Sequence, residues 1–192
     1  FLFSSVVPKV FTNIKNSLKS SKFKILEIKN LKLNKIIRIN IKNKKNLGSD
    51  RIANAIGAKK FKNCLIIDFG TATTFDVIKN GIYDGGVIAP GVNLSIENLS
   101  QATALLPYIN LKSHQKSYGK NTIEALNAGF VWGYEGLINN IIDKIISRSK
   151  IKYKILLTGG YANFFNKMIK KKVAIDQDIT IKGIANAYKE LI

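Results

Sequence analysis

Apolar positions along the chain follow two periods, and each predicts a different element. Phe1-Leu2-Phe3 reads as a strand, closed by the Pro-bounded turn Ser4-Ser5-Val6-Val7-Pro8. Val10 to Leu18 has helical spacing, and the Lys-rich stretch behind it offers only short pieces of β character, at 24–28 and 36–39. From residue 50 the pattern sharpens. Ile52, Ala53 and Ile56 predict a short helix with Ser49 or Asp50 as its N-cap and Gly57 near its end. The apolar run Cys64-Leu65-Ile66-Ile67 predicts a buried strand that stops at Asp68-Phe69-Gly70. Thr73 to Ile78 and Gly81 to Ile88 read as paired strands, because Asn80-Gly81 suits a type I′ turn. Pro90-Gly91 ends this run, and a helix is expected from Val92 to Leu99.

The longest pattern lies further on. Asn121 and Glu124 have capping-box spacing, and apolar residues recur from Ile123 through Ile146, which predicts a long core helix. Lys154 to Thr158 forms another strand, broken by Gly159-Gly160 and followed by a helix from Ala162 to about Lys171; a last helix runs from Gly183 to Leu191. Hairpin strands, then helices, then a strand, a glycine pair and a helix give a mixed α/β architecture without a repeat of fixed period. No linker marks off independent domains.

Composition narrows the function classes. With 192 residues, 46% of them apolar, the chain can build one substantial core or two lobes sharing a hinge. No apolar run approaches the roughly 18 residues of a membrane span, and Phe1-Leu2-Phe3 has no basic leader or small-residue cleavage site, so a cytoplasmic protein without a membrane partner is expected. One cysteine, Cys64, and one histidine, His114, leave no intramolecular disulfide and no Cys/His metal cluster, so any metal would sit on oxygens. The net charge of +19 raises nucleic-acid binding as a rival reading. Arginine occurs only as Arg38, Arg51 and Arg148, however, the lysines are scattered, and Lys170 to Lys172 reads as a solvated helix end; nucleic acid is not the expected partner. The chain opens without a methionine on residues that already form a strand, which leads us to expect a segment upstream.

The chain has twelve acidic residues, so where they sit is informative. Asp50, Asp68 and Asp84 all lie beside glycines at element ends, where a carboxylate can reach into a cleft. Taken singly, each is as well explained as a turn former or a helix cap. Asp68 to Thr74 goes further, joining an apolar strand to an acid, a glycine and several hydroxyls. Glycine lets backbone approach a phosphate, hydroxyls and amides bind its oxygens, and a carboxylate can hold a balancing cation. Gly119-Lys120-Asn121-Thr122 lacks the earlier glycine of a Walker A loop, so hairpin turns would have to hold any phosphates.

Asp68-Phe69-Gly70-Thr71-Ala72-Thr73-Thr74 resembles the second phosphate loop of the acetate and sugar kinase, Hsp70 and actin superfamily, and Thr158-Gly159-Gly160 resembles its adenosine motif. Five further segments match one branch in order: Ser4 to Pro8, Gly48 to Ala55, Gly85 to Gly91, Thr103 to Pro107, and Asn121 to Ala125. On these the chain is similar to the type III pantothenate kinases. The resemblance implies a ribonuclease-H-like, actin-like ATPase α/β fold, normally of two duplicated lobes, with residues 1–47 as the remnant of the first and 48–192 as the second. It implies transfer of the γ-phosphate of ATP to pantothenate, the first step toward coenzyme A, with Asp50 as the general base. Gly48, Ser49, Asp50, Arg51 and Thr122 would contact pantothenate, and Gly70, Thr71, Thr158, Gly159 and Gly160 would contact ATP. Asp68 would bind a monovalent cation, potassium or ammonium; magnesium would accompany ATP, and the assembly would be a homodimer. A non-catalytic accessory relative is the rival within the same fold.

Two family features are missing. The first phosphate loop, Asp-x-Gly-Asn-Thr, would precede the strand at Phe1 and does not occur. A substrate-contacting tyrosine is usual shortly before Gly-x-Asp-Arg, where this chain has Ile41-Lys42-Asn43-Lys44-Lys45-Asn46.

Overall fold

A computed structural model describes residues 1–5, 7–19, 23–112 and 117–191. Val6 and His114, both used above, lie outside the described residues. The elements in order are β1 (Leu2–Phe3), α1 (Pro8–Ser17), β2 (Leu26–Glu27), β3 (Arg38–Ile39), α2 (Ser49–Gly57), β4 (Cys64–Phe69), β5 (Ala72–Lys79), β6 (Ile82–Pro90), α3 (Val92–Ala102), α4 (Thr122–Ser149), β7 (Lys154–Gly159), α5 (Ala162–Phe165), β8 (Val173–Ile175) and α6 (Ile179–Leu191). The hydrogen-bonded strand order is β3-β6-β5-β4-β7-β8, and β1 and β2 pair separately in parallel. The mixed α/β reading of the sequence is the architecture observed.

Two compact units interleave along the chain. The first comprises 1–66, 76–85 and 176–192; the second comprises 67–75 and 86–175. In the first, α2 packs on α6. The helices come so close that a Cβ on Gly183 would overlap the carbonyl of Ala53. This explains a difference from the sequence reading, which started the last helix at Gly183: here glycine is a close-packing residue inside a helix that begins at Ile179. Ile52 and Ile56 from α2 are buried, as are Leu65, Ile66 and Ile78 from the strands. The β5–β6 connection is the tight turn expected, with φ of 52° at Asn80 and 74° at Gly81.

In the second unit β7 and β8 run parallel, with Ile155 opposite Val173. Helix α4 starts as its sequence predicts: the Asn121 side chain accepts from the Glu124 N–H at 2.9 Å. Glu124 in turn accepts from the N–H of Lys120, one residue earlier than in an ideal capping box. Ala128, Val131, Tyr134, Ile138 and Ile142 form its buried stripe at helical spacing. The helix expected over 162–171 is cut short. Asn139 on α4 donates to the carbonyl of Met168 and accepts from the N–H of Lys170, drawing the chain into a 3₁₀ turn at 166–168. Strand β8 then forms where its short apolar run gave no strand signal.

Candidate active site

The Gly48 to Arg51 segment forms the first turn of α2, in the first unit. Neither Ser49 nor Asp50 is the N-cap. Gly48 takes that place with extended backbone (ψ 143°), and Ser49 instead donates from its buried hydroxyl to Glu27 Oε1 at 3.0 Å. Asp50 is thereby left inside the first turn, half-buried, where the helix N-terminus favours a negative charge. Its Oδ1 accepts from the Arg51 N–H at 2.8 Å. A Cβ on residue 48 would come within 2.5 Å of that oxygen, so glycine keeps the carboxylate's approach open.

Behind this turn lies a cluster that the sequence reading missed. Arg51 Nε donates to Asp76 Oδ1 at 2.7 Å, and the Tyr83 hydroxyl donates to the same oxygen at 2.7 Å. Asp76 is 0% exposed and Tyr83 1%. The Arg51 guanidinium carbon also lies 5.9 Å from the Tyr83 ring centre, within cation–π range. Burial pushes the Asp76 carboxyl up to about 6 against the lowering effect of Arg51 and of the Tyr83 bond, with Asp50 adding to the rise. Burial, chiefly, also pushes the Tyr83 phenol up. One sequence signal was available: Asp76 is a charge in the middle of the apolar strand Phe75 to Ile78. Asp84, which the sequence singled out, accepts from the Asn40 side chain at 2.8 Å in an exposed position at the β3–β6 pair.

The remaining predicted residues belong to the second unit. Asp68 sits at the end of β4, and the Gly70 N–H donates to the Ala72 carbonyl at 3.1 Å to close the turn into β5. Thr71 at the tip is exposed, whereas Thr73 and Thr74 are buried with hydroxyls that find no partner among the described residues. Of the hydroxyls read as phosphate ligands, Thr71 is therefore the one presented to solvent. The end of β7 meets this turn: the Gly160 N–H donates to the Phe69 carbonyl at 3.1 Å. Gly159 has φ +84°, and a Cβ there would lie 2.6 Å from the Phe69 carbonyl oxygen and 2.7 Å from Asp68 Oδ1. Glycine thus preserves a small oxygen-lined space beside Asp68. Hard cations favour such oxygens, so the donor set fits the monovalent ion expected at Asp68. Among the described residues no three His, Cys, Asp or Glu side chains converge. Thr158, at the end of β7, is 3% exposed.

Thr122 is placed elsewhere. It is the exposed first residue of α4 and lines an apolar groove of about 400 Å³ with Leu99, Leu106, Leu126 and Phe130, among others; none of the glycine-turn residues takes part. Gly48 to Arg51 thus belong to the first unit, and Asp68, Gly70, Thr71 and Thr158 to Gly160 to the second.

A carboxylate in a helix's first turn, and glycine turns in place of a glycine-rich strand-to-helix loop, sit on a mixed α/β sheet, and sequence similarity places this α/β protein among the kinases. A sequence model of the type III pantothenate kinases matches residues 1–144. The chain is 51% identical over 188 residues to a type III pantothenate kinase of Pelagibacter ubique, covering 97% of this chain and 75% of that protein. It is 42% identical to the type III pantothenate kinase of a Ruegeria species over 74% of this chain and 56% of the relative. A solved structure of a conserved Baf family protein from Campylobacter jejuni superposes with a TM-score of 0.69 over 98% of this chain and 81% of that one, at 23% identity, which shows a shared fold. The chain belongs to the type III pantothenate kinase family.

Proposed function

We propose that the chain carries out the family's phosphoryl transfer from ATP to pantothenate, with Asp50 as general base. The observation that carries this reading is the half-buried Asp50 carboxylate, opened by Gly48 and set beside an arginine that Asp76 holds in place. Phosphoryl transfer asks mainly for positioning and for stabilisation of charge on the moving group. The Asp50 carboxylate accepts the proton of the primary hydroxyl as that oxygen bonds to the γ-phosphorus. The bond from phosphorus to the β-phosphate oxygen breaks, and ADP leaves with its electron pair. A carboxylate ionised at neutral pH takes such a proton late, once phosphoryl transfer has acidified the hydroxyl.

Gly48, Ser49, Arg51 and Thr122 are assigned to pantothenate. The exposed Thr71, the amides of Gly70, Gly159 and Gly160, and Thr158 are assigned to ATP. Asp68 would hold the monovalent cation, which balances phosphate charge when bound; replacing potassium with sodium tests this, and indifference to the exchange removes the assignment. Magnesium would arrive with ATP and keep several of its waters. The assembly is read as a homodimer. No helix among the described residues is long and apolar enough to cross a membrane.

The test is Asp50→Asn. Turnover should fall by at least about 100-fold, the usual scale of a lost general base, while the pantothenate Kd stays within about threefold. A near-normal kcat would remove Asp50 from the role.

A further inference from the structure

We propose that Asp76, braced by Tyr83, is a positioning residue for the substrate site: it fixes the Arg51 guanidinium beside Asp50 so that the arginine's remaining edge meets an oxygen of the bound pantothenate. This rests on the reading above, which places Arg51 against that substrate.

Residue 51 is held at both ends. Its main-chain N–H donates to Asp50 and its Nε to Asp76, while Tyr83 donates to the Asp76 oxygen that Arg51 uses and lies under the guanidinium. A side chain with several rotatable bonds is thereby reduced to one orientation before any ligand arrives, which lowers the ordering cost of binding. Stability alone does not explain the arrangement. Burying an ion pair is often no better than packing apolar side chains in the same space, and this pair also leaves Arg51 Nη2 and Asp76 Oδ2 buried with no partner among the described residues. The Arg51 side chain nevertheless remains 13% exposed, so part of the guanidinium's remaining edge is open to an oxygen of the ligand.

The same geometry gives the site a dependence on pH. The charged or titratable groups acting on Asp76 are Arg51 and Tyr83, in direct contact, and Asp50. Its carboxyl is pushed up to about 6, so between pH 7 and 5 it takes a proton and its charge no longer holds Arg51. The position of Arg51 should loosen over that range.

Calorimetric titration of the full chain with pantothenate, together with steady-state kinetics, tests this on Asp76→Asn and Tyr83→Phe. Asp76→Asn should raise Kd and KM about tenfold, the scale of one charge-assisted hydrogen bond, with kcat falling less than KM rises. Tyr83→Phe should raise both about threefold. Affinity in the parent chain should weaken from pH 7 to pH 5, and that slope should flatten in Asp76→Asn. A folded Asp76→Asn chain with parental Kd, or with the parental pH slope, would overturn the proposal. Should that variant fail to fold, Tyr83→Phe decides, and an unchanged Kd and slope there would overturn it equally. A parent chain that does not bind pantothenate sinks the proposed function and the positioning role together; one that binds while both variants match it sinks the positioning role alone.

Discussion

Asp76 is a carboxylate that its surroundings would rather keep neutral, and this has a consequence for stability. An unfolded aspartate titrates near 3.9, whereas in the fold this one titrates at about 6. Between those values the native state holds a proton that the unfolded chain has released, so Asp76's contribution to stability declines as pH rises from about 4 to 6 and is constant above. The full span is about 3 kcal/mol, from roughly 1.4 kcal/mol per pH unit. Urea unfolding of the parent and of Asp76→Asn at pH 4.5 and pH 7 should show the parent losing ground relative to the variant at the higher pH. A difference that does not move with pH would show that Asp76 titrates normally. At this scale the sequence was half legible. Asp50 and Asp68 announced themselves through neighbouring glycines and motif resemblance, whereas Asp76 and Tyr83 lie on the two strands of a hairpin that was legible but whose approach to Arg51 only the tertiary fold creates.

Among the elements, α2 and α6 depend on the absence of a side chain. Gly183→Ala would drive a methyl into the carbonyl of Ala53, and overpacking of this kind costs typically about 1–3 kcal/mol. Gly136 on α4 is exposed, and a methyl there would meet nothing within 4 Å, so Gly136→Ala should instead stabilise by about 0.5–1 kcal/mol through helix propensity and reduced unfolded-state entropy. Chemical denaturation of the two variants should give opposite signs, and matching signs would mean that the close approach yields readily. The pattern reading found α4, the β5–β6 hairpin and β7 because each carries local signals: a cap, a turn dipeptide, an apolar run. It missed the break after α5 because that break is imposed by Asn139, some thirty residues earlier on α4. It missed the true start of α6 because glycine there serves packing across helices, which no local pattern records.

For the whole molecule, charge and apolar surface pull against each other. Leu94, Leu99, Leu105, Ile123 and Trp132 of the second unit are exposed, an amount of apolar surface that suits a partner, while +19 charges repel a second copy. Salt screens that repulsion, so the proposed homodimer should tighten as ionic strength rises, the reverse of what nucleic-acid binding would show. Ultracentrifugation at low and moderate salt tests this, and Leu99→Glu, at the apolar groove, should weaken the dimer at least about tenfold. A parent chain that remains monomeric would remove the homodimer from the reading. The packing of α2 against α6 also bears on how the molecule is made. Gly183 follows Ala53 by 130 positions, and at roughly 5–20 residues per second a ribosome needs on the order of ten seconds to cover that distance. Throughout that interval the helix bearing Asp50 is made without the helix against which its Ala53 and Gly57 will pack. The segment at the centre of the proposed chemistry is thus among those most exposed to chaperones and to misassembly before the protein is complete.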